Sequence, residues 1–349
     1  MHFRRELARN TLADRHQWTR GAGELLAGAR SIHSLSAYAD IVIAFDQVGK
    51  RYRSLTGRQV RALEEFTLEL HAGEVFGLAG PNGAGKSTLI ALLMGFLAPS
   101  EGTVRIEGLE PRRFIETHGI GYLSELVNIP PAWRLRDALR RYALLAGVPA
   151  RTRDTRVDEV IELLGLDEHR GKRVRQLSKG NLQRLGLAQS LLCDERVIVL
   201  DEPTHGLDPV WTGRFRDVVN ALRRDDRLIL IASHNLDELA RLADRVGIMD
   251  RGRLQRVVDV RAGAEHDAGD AATYRITLAR GAEQVAIACP TARDLGNGEY
   301  ELADVTLESL NATLAALVRG GALVSAVQPL HSALEQQFRD AVGAGEEQR

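Results

Sequence analysis

The stretch "GPNGAGKST", residues 80–88, decides the fold. It fits the pattern of a phosphate-binding loop, in which Gly80 is followed after four residues by Gly85, Lys86 and Ser87. An apolar run of strand length, "EVFGLAG", leads into it, and an apolar helical pattern follows it. The alternative is an ordinary glycine-rich turn. Lysine is scarce in this chain, and the strand–loop–helix context is the one that such a loop requires, so the sequence favours a phosphate site.

The chemistry of such a loop predicts what its residues do. The glycines permit a tight loop whose backbone N–H groups point at phosphate oxygens. Lys86 is expected to reach the β- and γ-phosphates and to serve catalysis, and Ser87 is expected to bind Mg²⁺. A nucleotide with β- and γ-phosphates, together with Mg²⁺, is therefore expected at this loop. The residues predicted to bind the nucleotide here are Gly80, Pro81, Asn82, Gly83, Ala84, Gly85, Lys86, Ser87 and Thr88.

From about residue 40 to residue 258, short apolar runs alternate with helical patterns. "RVIVLDE" (196–202) and "RLILIASH" (227–234) are continuous apolar runs, typical of parallel strands that are covered on both faces. Helices between such strands predict an α/β domain with a mostly parallel sheet. The Arg- and Leu-rich span 126–172 has helical spacing and is predicted to be a helical insert.

Four further segments flank this domain. Residues 1–39 are polar and rich in Arg, which predicts a loosely ordered extension; a short docked helix or contact with a membrane surface are the alternatives. Residues 259–270 have the composition of a linker. Residues 271–342 are predicted to be a small α+β module, and 343–349 a solvated tail. The strands predicted for the module are "TYRITLA", "QVAIAC", "EYELAD" and "ALVSAV", with one helix through Leu307, Leu310, Leu314 and Leu317 and another through Leu334 and Phe338.

The composition limits the class of protein. The 349 residues leave room for two domains, and an apolar content of 44% is enough for packed cores. A net charge of −1 gives no electrostatic case for a nucleic-acid partner, and none is expected. Cys193 and Cys289, without a secretory segment, fit a reducing cytoplasm better than a disulfide framework. No apolar run approaches the ~20 residues of a membrane span.

Two carboxylates and a histidine are expected at one edge of the sheet. Asp201 and Glu202 close the buried run "VIVLDE", and ligands bind at the carboxyl ends of parallel strands. Asp201 is predicted to hold Mg²⁺, and Glu202 to act as the general base toward water. His234 ends the next strand and is predicted to contact the γ-phosphate. Taken alone, the carboxylates could cap the next helix and the histidine could be structural.

A second anion site is predicted at "LSKGN", residues 177–181. Ser178 and Asn181 are poor helix-interior residues, yet a helical pattern follows them directly, so a helix begins here. Either side chain could simply cap that helix. A helix start also carries partial positive charge and free N–H groups, so it can bind a phosphate.

The order of these motifs resembles the ATP-binding cassette (ABC) family of ATPases over about residues 41–255. The matching motifs are, in order, Tyr52, "GPNGAGKST", "YLSE" (122–125), "LSKGN", "VIVLDEP", "GLDP" (206–209) and "SH" (233–234). The resemblance implies a nucleotide-binding domain with a phosphate loop and a helical subdomain. It also implies that Tyr52 stacks on adenine and that Asp208 links two active sites. Ser178 and Gly180 would contact ATP that is held by the phosphate loop of a second subunit.

Two departures from the family pattern bear on function. The family's signature is usually LSGGQ, whereas here Lys179 and Asn181 replace a Gly and the Gln. Glu125 stands where the family has a Gln between its subdomains, and it is expected to take part in a Mg²⁺ or water network at the nucleotide. Similar departures, with a similar C-terminal module, occur in cassettes that resemble drug, sodium and polysaccharide exporters. Export is therefore the expected direction of transport.

The resemblance implies the ATPase subunit of a membrane transporter, at the cytoplasmic face of the membrane. A separate integral-membrane permease would dock at the helical insert near Glu125, and a second copy or a related cassette would complete the pair. The alternative is a soluble ABC ATPase that acts on nucleic acid or the ribosome. The span between Lys86 and Leu177 is too short for the long coiled coils of the DNA-repair types, and the ribosomal types carry two cassettes. A regulator without hydrolysis is disfavoured by Glu202 and His234.

Overall fold

A computed structural model describes residues 41–53, 59–260 and 272–329, together with residues 334, 338 and 341. The predicted extension 1–39 and the tail 343–349 lie outside the described residues, as does most of the predicted linker 259–270.

Strands and helices alternate through the larger part of the chain. The strands, in chain order, are β1 (Ile41–Arg53), β2 (Gln59–His71), β3 (Val75–Ala79), β4 (Glu101–Ile106), β5 (Gly121–Leu123), β6 (Val197–Asp201), β7 (Leu228–Ser233), β8 (Arg245–Asp250), β9 (Arg253–Asp259), β10 (Ala272–Arg280), β11 (Arg293–Gly296), β12 (Glu299–Val305) and β13 (Leu323–Pro329). The α-helices are α1 (Lys86–Leu93), α2 (Pro111–His118), α3 (Leu135–Leu145), α4 (Ala150–Leu163), α5 (Lys179–Ser190), α6 (Pro209–Leu222), α7 (Leu236–Leu242), α8 (Val285–Ala288) and α9 (Leu307–Arg319).

The central sheet has six strands in the order β5-β6-β7-β3-β8-β9. The pairs β5/β6, β6/β7, β7/β3 and β3/β8 are parallel, and only the edge pair β8/β9 is antiparallel. The prediction of an α/β domain with a mostly parallel sheet is confirmed. Because parallel strands are joined by crossovers, their carboxyl ends lie at one edge of the sheet, which collects the residues after β3, β6 and β7.

Alternate side chains of each central strand lie in different cores. In β6, Val197 and Val199 belong to one core, and Ile198 and Leu200 belong to the other. Successive side chains in a strand point to opposite faces, so a strand covered on both sides must be apolar throughout. This explains the continuous apolar runs in the sequence. The predicted insert 126–172 contains helices α3 and α4, whose apolar faces pack into the core that contains Ile198.

A second, three-stranded sheet with the order β2-β1-β4 covers the other core. Phe45 of β1 and Phe66 of β2 meet edge to face, with ring centroids 5.5 Å apart, and both are fully buried. The backbone N–H of Glu64 donates to Gly252 O at 2.9 Å, which joins this sheet to the turn between β8 and β9. It also brings the start of β2 to the phosphate loop.

The C-terminal part forms its own four-stranded sheet, in the order β11-β12-β10-β13, with helix α9 against it. The strands predicted at "TYRITLA", "EYELAD" and "ALVSAV" and the first helix are confirmed. The strand predicted at "QVAIAC" is wrong, because helix α8 occupies Val285–Ala288. Val285 is buried and Cys289 is partly buried in this core, whereas Ile287 is 76% exposed, so the run has helical spacing.

The last described residues return to the larger domain. Leu334, Phe338 and Ala341 are helical, and Leu334 is buried in the core that contains Ile198 instead of in the C-terminal core. The boundaries predicted for the module, 271–342, stay predictions. No helix within the described residues is long and apolar enough to cross a membrane.

Candidate active site

At two positions in the loop after β3, the neighbouring backbone leaves no room for a side chain, so glycine is required. A Cβ at Gly80 would lie 2.6 Å from the carbonyl oxygen of Met249, and a Cβ at Gly85 would lie 2.7 Å from that of Ala62. Gly85 also has a φ of 107°, a conformation that L-residues rarely adopt, and it directly precedes helix α1. The loop therefore wraps tightly between β3 and the N-terminus of α1, which is the geometry that places backbone N–H groups around a phosphate.

A cavity of about 470 Å³ opens over this loop. It brings together the loop, the carboxylates that follow β5 and β6, and the histidine that follows β7. Its lining residues are Val60, Arg61, Ala62, Pro81, Asn82, Gly83, Ala84, Gly85, Lys86, Ser87, Thr88, Glu125, Asp201, Glu202, His205 and His234. Residues scattered from 60 to 234 in the sequence thus share one site, as the meeting of strand ends predicts.

Lys86 is buried at the base of this cavity. Its Nζ donates to the backbone oxygens of Gly80, at 2.5 Å, and Pro81, at 3.3 Å. Burial lowers the pKa of Lys86, and the carboxylates of Glu202, Asp201 and Glu125 act in the opposite direction. The ammonium group is thus held by carbonyl oxygens of the phosphate loop itself. Phosphate oxygens, which carry full negative charge, are stronger acceptors for it than these neutral carbonyls.

The side chain of Glu202, which follows β6, is held by residues at the end of the neighbouring strand β7. One of its carboxylate oxygens accepts the backbone N–H of His234 at 3.1 Å and lies 2.9 Å from the ring Nδ1 of that residue. The other accepts the hydroxyl of Ser233 at 3.4 Å. Glu202 is only 7% exposed and has a φ of 47°, which is unusual for a side chain of this size. The carboxylate is therefore held in one orientation inside the cavity, as a general base requires.

Asp201 is buried, and its surroundings shift its pKa. Burial, together with the neighbouring Glu125 and Glu202, raises the pKa of Asp201 to about 6, while Lys86 opposes the rise. Within the described residues, no group of three His, Cys, Asp or Glu side chains could hold a metal ion by itself. Mg²⁺ is usually bound by one or two carboxylates together with substrate phosphates, so this donor set fits Mg²⁺ that arrives with a nucleotide. Ser87 and Asp201 would hold it.

Tyr52 stands beside the cavity without lining it. Its hydroxyl lies 3.4 Å from Thr88 Oγ1, and its ring is 40% exposed, with Lys50 Nζ 5.5 Å from the ring centroid. An exposed ring next to the loop is free to stack on a base. The stacking role stays a prediction.

Like Tyr52, three further predicted residues do not line the cavity: Ser178, Gly180 and Asp208. Ser178 Oγ caps helix α5 by accepting the N–H of Asn181 at 3.2 Å, and Asp208 caps helix α6 by accepting the N–H of Trp211 at 3.0 Å. The capping alternative for "LSKGN" is therefore confirmed. It does not exclude a contact with nucleotide in a second subunit, since a capped helix start still presents backbone N–H groups.

Two parts of the cavity wall are not predicted from the sequence. His205 lines the cavity, and its only signal in the sequence was its position three residues after Glu202. Val60, Arg61 and Ala62 at the start of β2 also line it. They carry no motif, and they lie at the site because the start of β2 packs against the turn between β8 and β9, through Glu64 N–H to Gly252 O.

Comparison with known proteins places this geometry in a family. The model of the family described as "ABC transporter" matches residues 63–205. The ABC transporter ATP-binding protein YhcH of Bacillus subtilis is 30% identical over 305 residues, which cover 85% of this chain and 95% of YhcH. The methionine import ATP-binding protein MetN of Geobacillus kaustophilus is 36% identical over 222 residues, which cover 61% of this chain and 64% of MetN. An ABC transporter ATP-binding protein of Nostoc sp. is 37% identical over 222 residues, which cover 61% of this chain and 65% of that protein. The chain thus spans just under two thirds of the MetN and Nostoc proteins.

Solved structures agree on the fold. A dimeric ATP-binding cassette in a post-hydrolysis state, bound to ADP and Pi, covers 62% of this chain and 98% of its own, with a TM-score of 0.58 and 21% identity. The protein cbiO1 of Clostridium perfringens, part of the ABC transporter complex cbiONQ, covers 72% of this chain and 96% of its own, with a TM-score of 0.55 and 24% identity. The fold and the match to nearly all of YhcH lead to one conclusion: this chain belongs to the family of ABC transporter ATP-binding proteins, ATPases that act on ATP with Mg²⁺.

Proposed function

We propose that this chain pairs with a second cassette over ATP, hydrolyses the ATP and thereby drives a separate integral-membrane permease, at the cytoplasmic face of the membrane. One observation carries the proposal. Lys86, Asp201, Glu202 and His234 share one cavity, whereas Ser178 and Gly180, at the start of helix α5, lie outside it. A single chain therefore holds one half of a complete site.

In this proposal the chemistry begins at Glu202. The carboxylate accepts a proton from a water molecule, whose oxygen attacks the γ-phosphorus; the bond to the β-phosphate oxygen breaks, and ADP and phosphate leave. His234 holds the carboxylate toward the cavity. Lys86 and the loop N–H groups stabilise the charge on the phosphoryl oxygens. A bound Mg²⁺ would neutralise part of the same charge.

The second subunit would complete the site with its helix α5. The N-terminus of a helix carries partial positive charge and N–H groups without intrahelical partners. Ser178 adds a hydroxyl at that point. The start of α5 would therefore cover the γ-phosphate of ATP that is bound by the partner's loop, and Asp208 would lie in the contact between the two sites.

The permease would dock where the helical insert leaves the sheet. Leu126, directly after Glu125, is 81% exposed, and Leu145 of α3 is 78% exposed. Between β5 and α3 a second cavity, of about 260 Å³, is lined by Tyr122, Tyr142 and Leu145 among others. Leu145 lines this cavity and Leu126 does not, so the proposal rests on two separate exposed apolar side chains, which fit an apolar helix of a partner.

Cross-linking in native membranes tests this proposal. Cys193 and Cys289 are first replaced by serine, and single cysteines are then placed at residues 126–135. Those at exposed positions of this range should capture a multi-span membrane protein, whereas cysteines at the buried Ile129 and Leu135, or at the exposed Ile287 in the C-terminal sheet region, should not. Capture of ribosomal or DNA-bound proteins instead would favour the soluble ATPase and would contradict the proposal.

The direction of transport is a separate question. Export is supported by the departures at Glu125, Lys179 and Asn181 and by the C-terminal module. The MetN relatives are import proteins by name, so the relatives do not favour export. Export therefore stays a prediction that rests on those residues and on the C-terminal module.

A further inference from the structure

The backbone of Glu202 adopts a conformation that the sequence around it disfavours. Its φ is 47°, in the left-handed region that residues with a side chain rarely adopt. Pro203 follows directly, and the residue before a proline favours extended backbone with a negative φ. A conformation of this kind persists only where the surrounding structure holds it.

Contacts from three directions hold this turn of the chain. The N–H of Glu202 donates to the carbonyl oxygen of Ala232 in β7 at 2.9 Å. The carbonyl oxygen of Glu202 accepts the N–H of His205, within the turn, at 3.1 Å and the side-chain Nε2 of Gln183 at 3.1 Å. The same Nε2 donates to the carbonyl oxygen of Pro203 at 3.2 Å. Gln183, from helix α5, therefore uses both N–H groups of its amide on two successive carbonyls of the turn.

The packing of helix α5 determines where this amide lies. Gln183 is only 6% exposed. At Gly186, about one helical turn further on, an added Cβ would lie 2.5 Å from Val127 Cγ2 and 2.9 Å from Leu123 Cδ1. The helix thus lies against β5 and the segment after it as closely as a glycine allows. Since the helix cannot approach further, the distance between the Gln183 amide and the turn is set by this contact.

We propose that Gln183 positions the general base: its amide holds Glu202 in the left-handed conformation from which the carboxylate reaches His234. This inference rests on the proposed function, which makes Glu202 the base. Gln183 does not line the cavity, so it acts only through Glu202. Without the amide, two carbonyls of the turn lose a donor, and the backbone of Glu202 can relax towards the extended conformation that precedes a proline. The carboxylate would then turn away from His234 and from the attacking water.

The first test replaces Gln183 by methionine, which has a similar length and no N–H donor. In Gln183→Met, kcat for ATP hydrolysis should fall about ten- to a hundredfold, as for the loss of two neutral hydrogen bonds. The KM and the equilibrium binding of a fluorescent ATP analogue should not change. Rates are expressed per bound nucleotide, so that an unfolded fraction does not lower them.

Ser190→Ala is the matched control on the same helix. Ser190 is also 6% exposed, and its hydroxyl donates to the carbonyl oxygen of Leu187 at 2.8 Å, away from the turn. This variant loses a buried polar group of α5 and should keep its kcat. An equal fall of kcat in Ser190→Ala would overturn the inference, because a general disturbance of the helix would then explain both results.

Gln183→Glu tests the donor itself and does not depend on the methionine variant being folded. A neutral carboxyl group at this position can donate to the turn, whereas a carboxylate cannot. Burial favours the neutral form, so turnover relative to the native chain should rise as the pH falls from about 8 to about 6. The same ratio for Gln183→Met should stay flat. Parallel pH profiles of the two variants would contradict a role for the donor.

A crystal structure of Gln183→Met gives a readout besides turnover. The φ of Glu202 should become negative, and its carboxylate should no longer contact Nδ1 of His234. A left-handed Glu202 in this variant would overturn the inference, because other contacts would then hold the turn without the amide.

The remaining outcomes separate this inference from the proposed function. Gln183→Met combined with Glu202→Gln should be no slower than Glu202→Gln alone, and additive losses would show that Gln183 acts independently of the base. If Glu202→Gln is inactive and Gln183→Met keeps the native kcat, only the role of Gln183 is overturned. Full hydrolysis by Glu202→Gln, or none by the native chain, would overturn the proposed function together with this inference.

Discussion

The backbone N–H and the ring Nδ1 of His234 lie 3.1 and 2.9 Å from the same carboxylate oxygen of Glu202. Two neighbouring strands, β6 and β7, supply the two residues, so the parallel pairing of the sheet sets this relationship. The histidine side chain is 60% exposed, whereas the glutamate is buried. The carboxylate that we propose as the general base is thus oriented by a residue that lines the cavity itself.

Glu202→Gln should abolish turnover and leave ATP binding intact. The amide keeps the shape and can still accept the N–H of His234, but it cannot take the proton of the attacking water. Steady-state phosphate release and equilibrium binding of a fluorescent ATP analogue provide the measurement. Lys86→Ala is the matched comparison and should weaken both binding and turnover. Full hydrolysis by the Gln variant would remove Glu202 from its role as base.

Asp201→Asn should stabilise the chain without nucleotide and Mg²⁺ while it abolishes activity. The pKa of Asp201 is raised from 3.8 to about 6, so the folded chain binds more protons than the unfolded chain between these values. Stability therefore falls as the pH rises from about 4 to 6, and above pH 6 the charged carboxylate costs up to about 3 kcal/mol. The Asn variant avoids this cost.

Urea unfolding in the presence of a chelator measures the effect. The variant should gain about 1–3 kcal/mol at pH 8 and only about 0.5 kcal/mol at pH 4, where the native carboxyl is neutral and the unfolded one is partly ionised. Asp225→Asn, at an exposed aspartate, serves as the control and should show no such difference. An equal gain at both pH values would mean that packing, and not charge, limits stability at Asp201.

Ser178→Asp separates the two roles of Ser178. Aspartate is as good a helix cap as serine, so helix α5 should keep its start and the chain its stability. Its negative charge would oppose a phosphate that approaches from a second subunit. In the Glu202→Gln background we expect monomers in ATP, with nucleotide affinity close to that of the parent. Ser178→Arg, which fills the same gap with bulk, should give the same result.

Two outcomes would argue against this assignment of Ser178. An unchanged ATP-driven pair would show that Ser178 does not act across an interface. Monomers that no longer bind ATP would instead point to a contact within the same subunit. Circular dichroism of both variants controls for loss of helix.

Leu334→Ala should destabilise the cassette, although the residue lies far along the chain from every nucleotide motif. Leu334 is 4% exposed in the core that also contains Ile198, and truncation of a buried leucine costs about 2–5 kcal/mol. Leu310→Ala is the matched variant, because Leu310 is equally buried in the C-terminal core. The thermal transition that ATP shifts should move down in Leu334→Ala and stay in place in Leu310→Ala.

Deletion of residues 265–349 also removes the contact of Leu334 with the cassette core. The sequence analysis places every nucleotide motif before residue 265, so the truncated cassette should still bind ATP. It should also be less stable than a chain in which only Leu310 is changed, because it loses Leu334 and Phe338 from its core. A truncated chain that cannot fold would mean that the boundary predicted at 259–270 is wrong.

Sequence reasoning predicts the cassette well because its signals are local. "GPNGAGKST" carries its own turn and helix start, and the apolar runs before Asp201 and His234 identify buried strands without further information. The strand ends then meet by topology, so the cavity residues could be predicted together. Arg61 could not, because it reaches the cavity only through contacts between segments that are distant in the sequence, whereas His205 follows Glu202 closely but belongs to no motif that predicts its role.

The C-terminal part was harder to predict for a related reason. "QVAIAC" is a short apolar run whose residue types suit a strand, and only the tertiary contacts of Val285 and Cys289 select the helix. Leu334 and Phe338 have helical spacing that any core could accommodate. Nothing in the sequence says which of two cores they enter, since that choice depends on where the preceding strand ends in space.

The path of the chain past residue 260 determines how the C-terminal sheet could be exchanged between proteins. The chain leaves the cassette after β9, builds the sheet of β10 to β13 and then places Leu334 back in the cassette core. In topological terms that sheet is an insertion with two junctions. To transfer this sheet to another cassette, both junctions would therefore have to be joined. A chimera with a single junction would separate Leu334 and Phe338 from the core into which they pack.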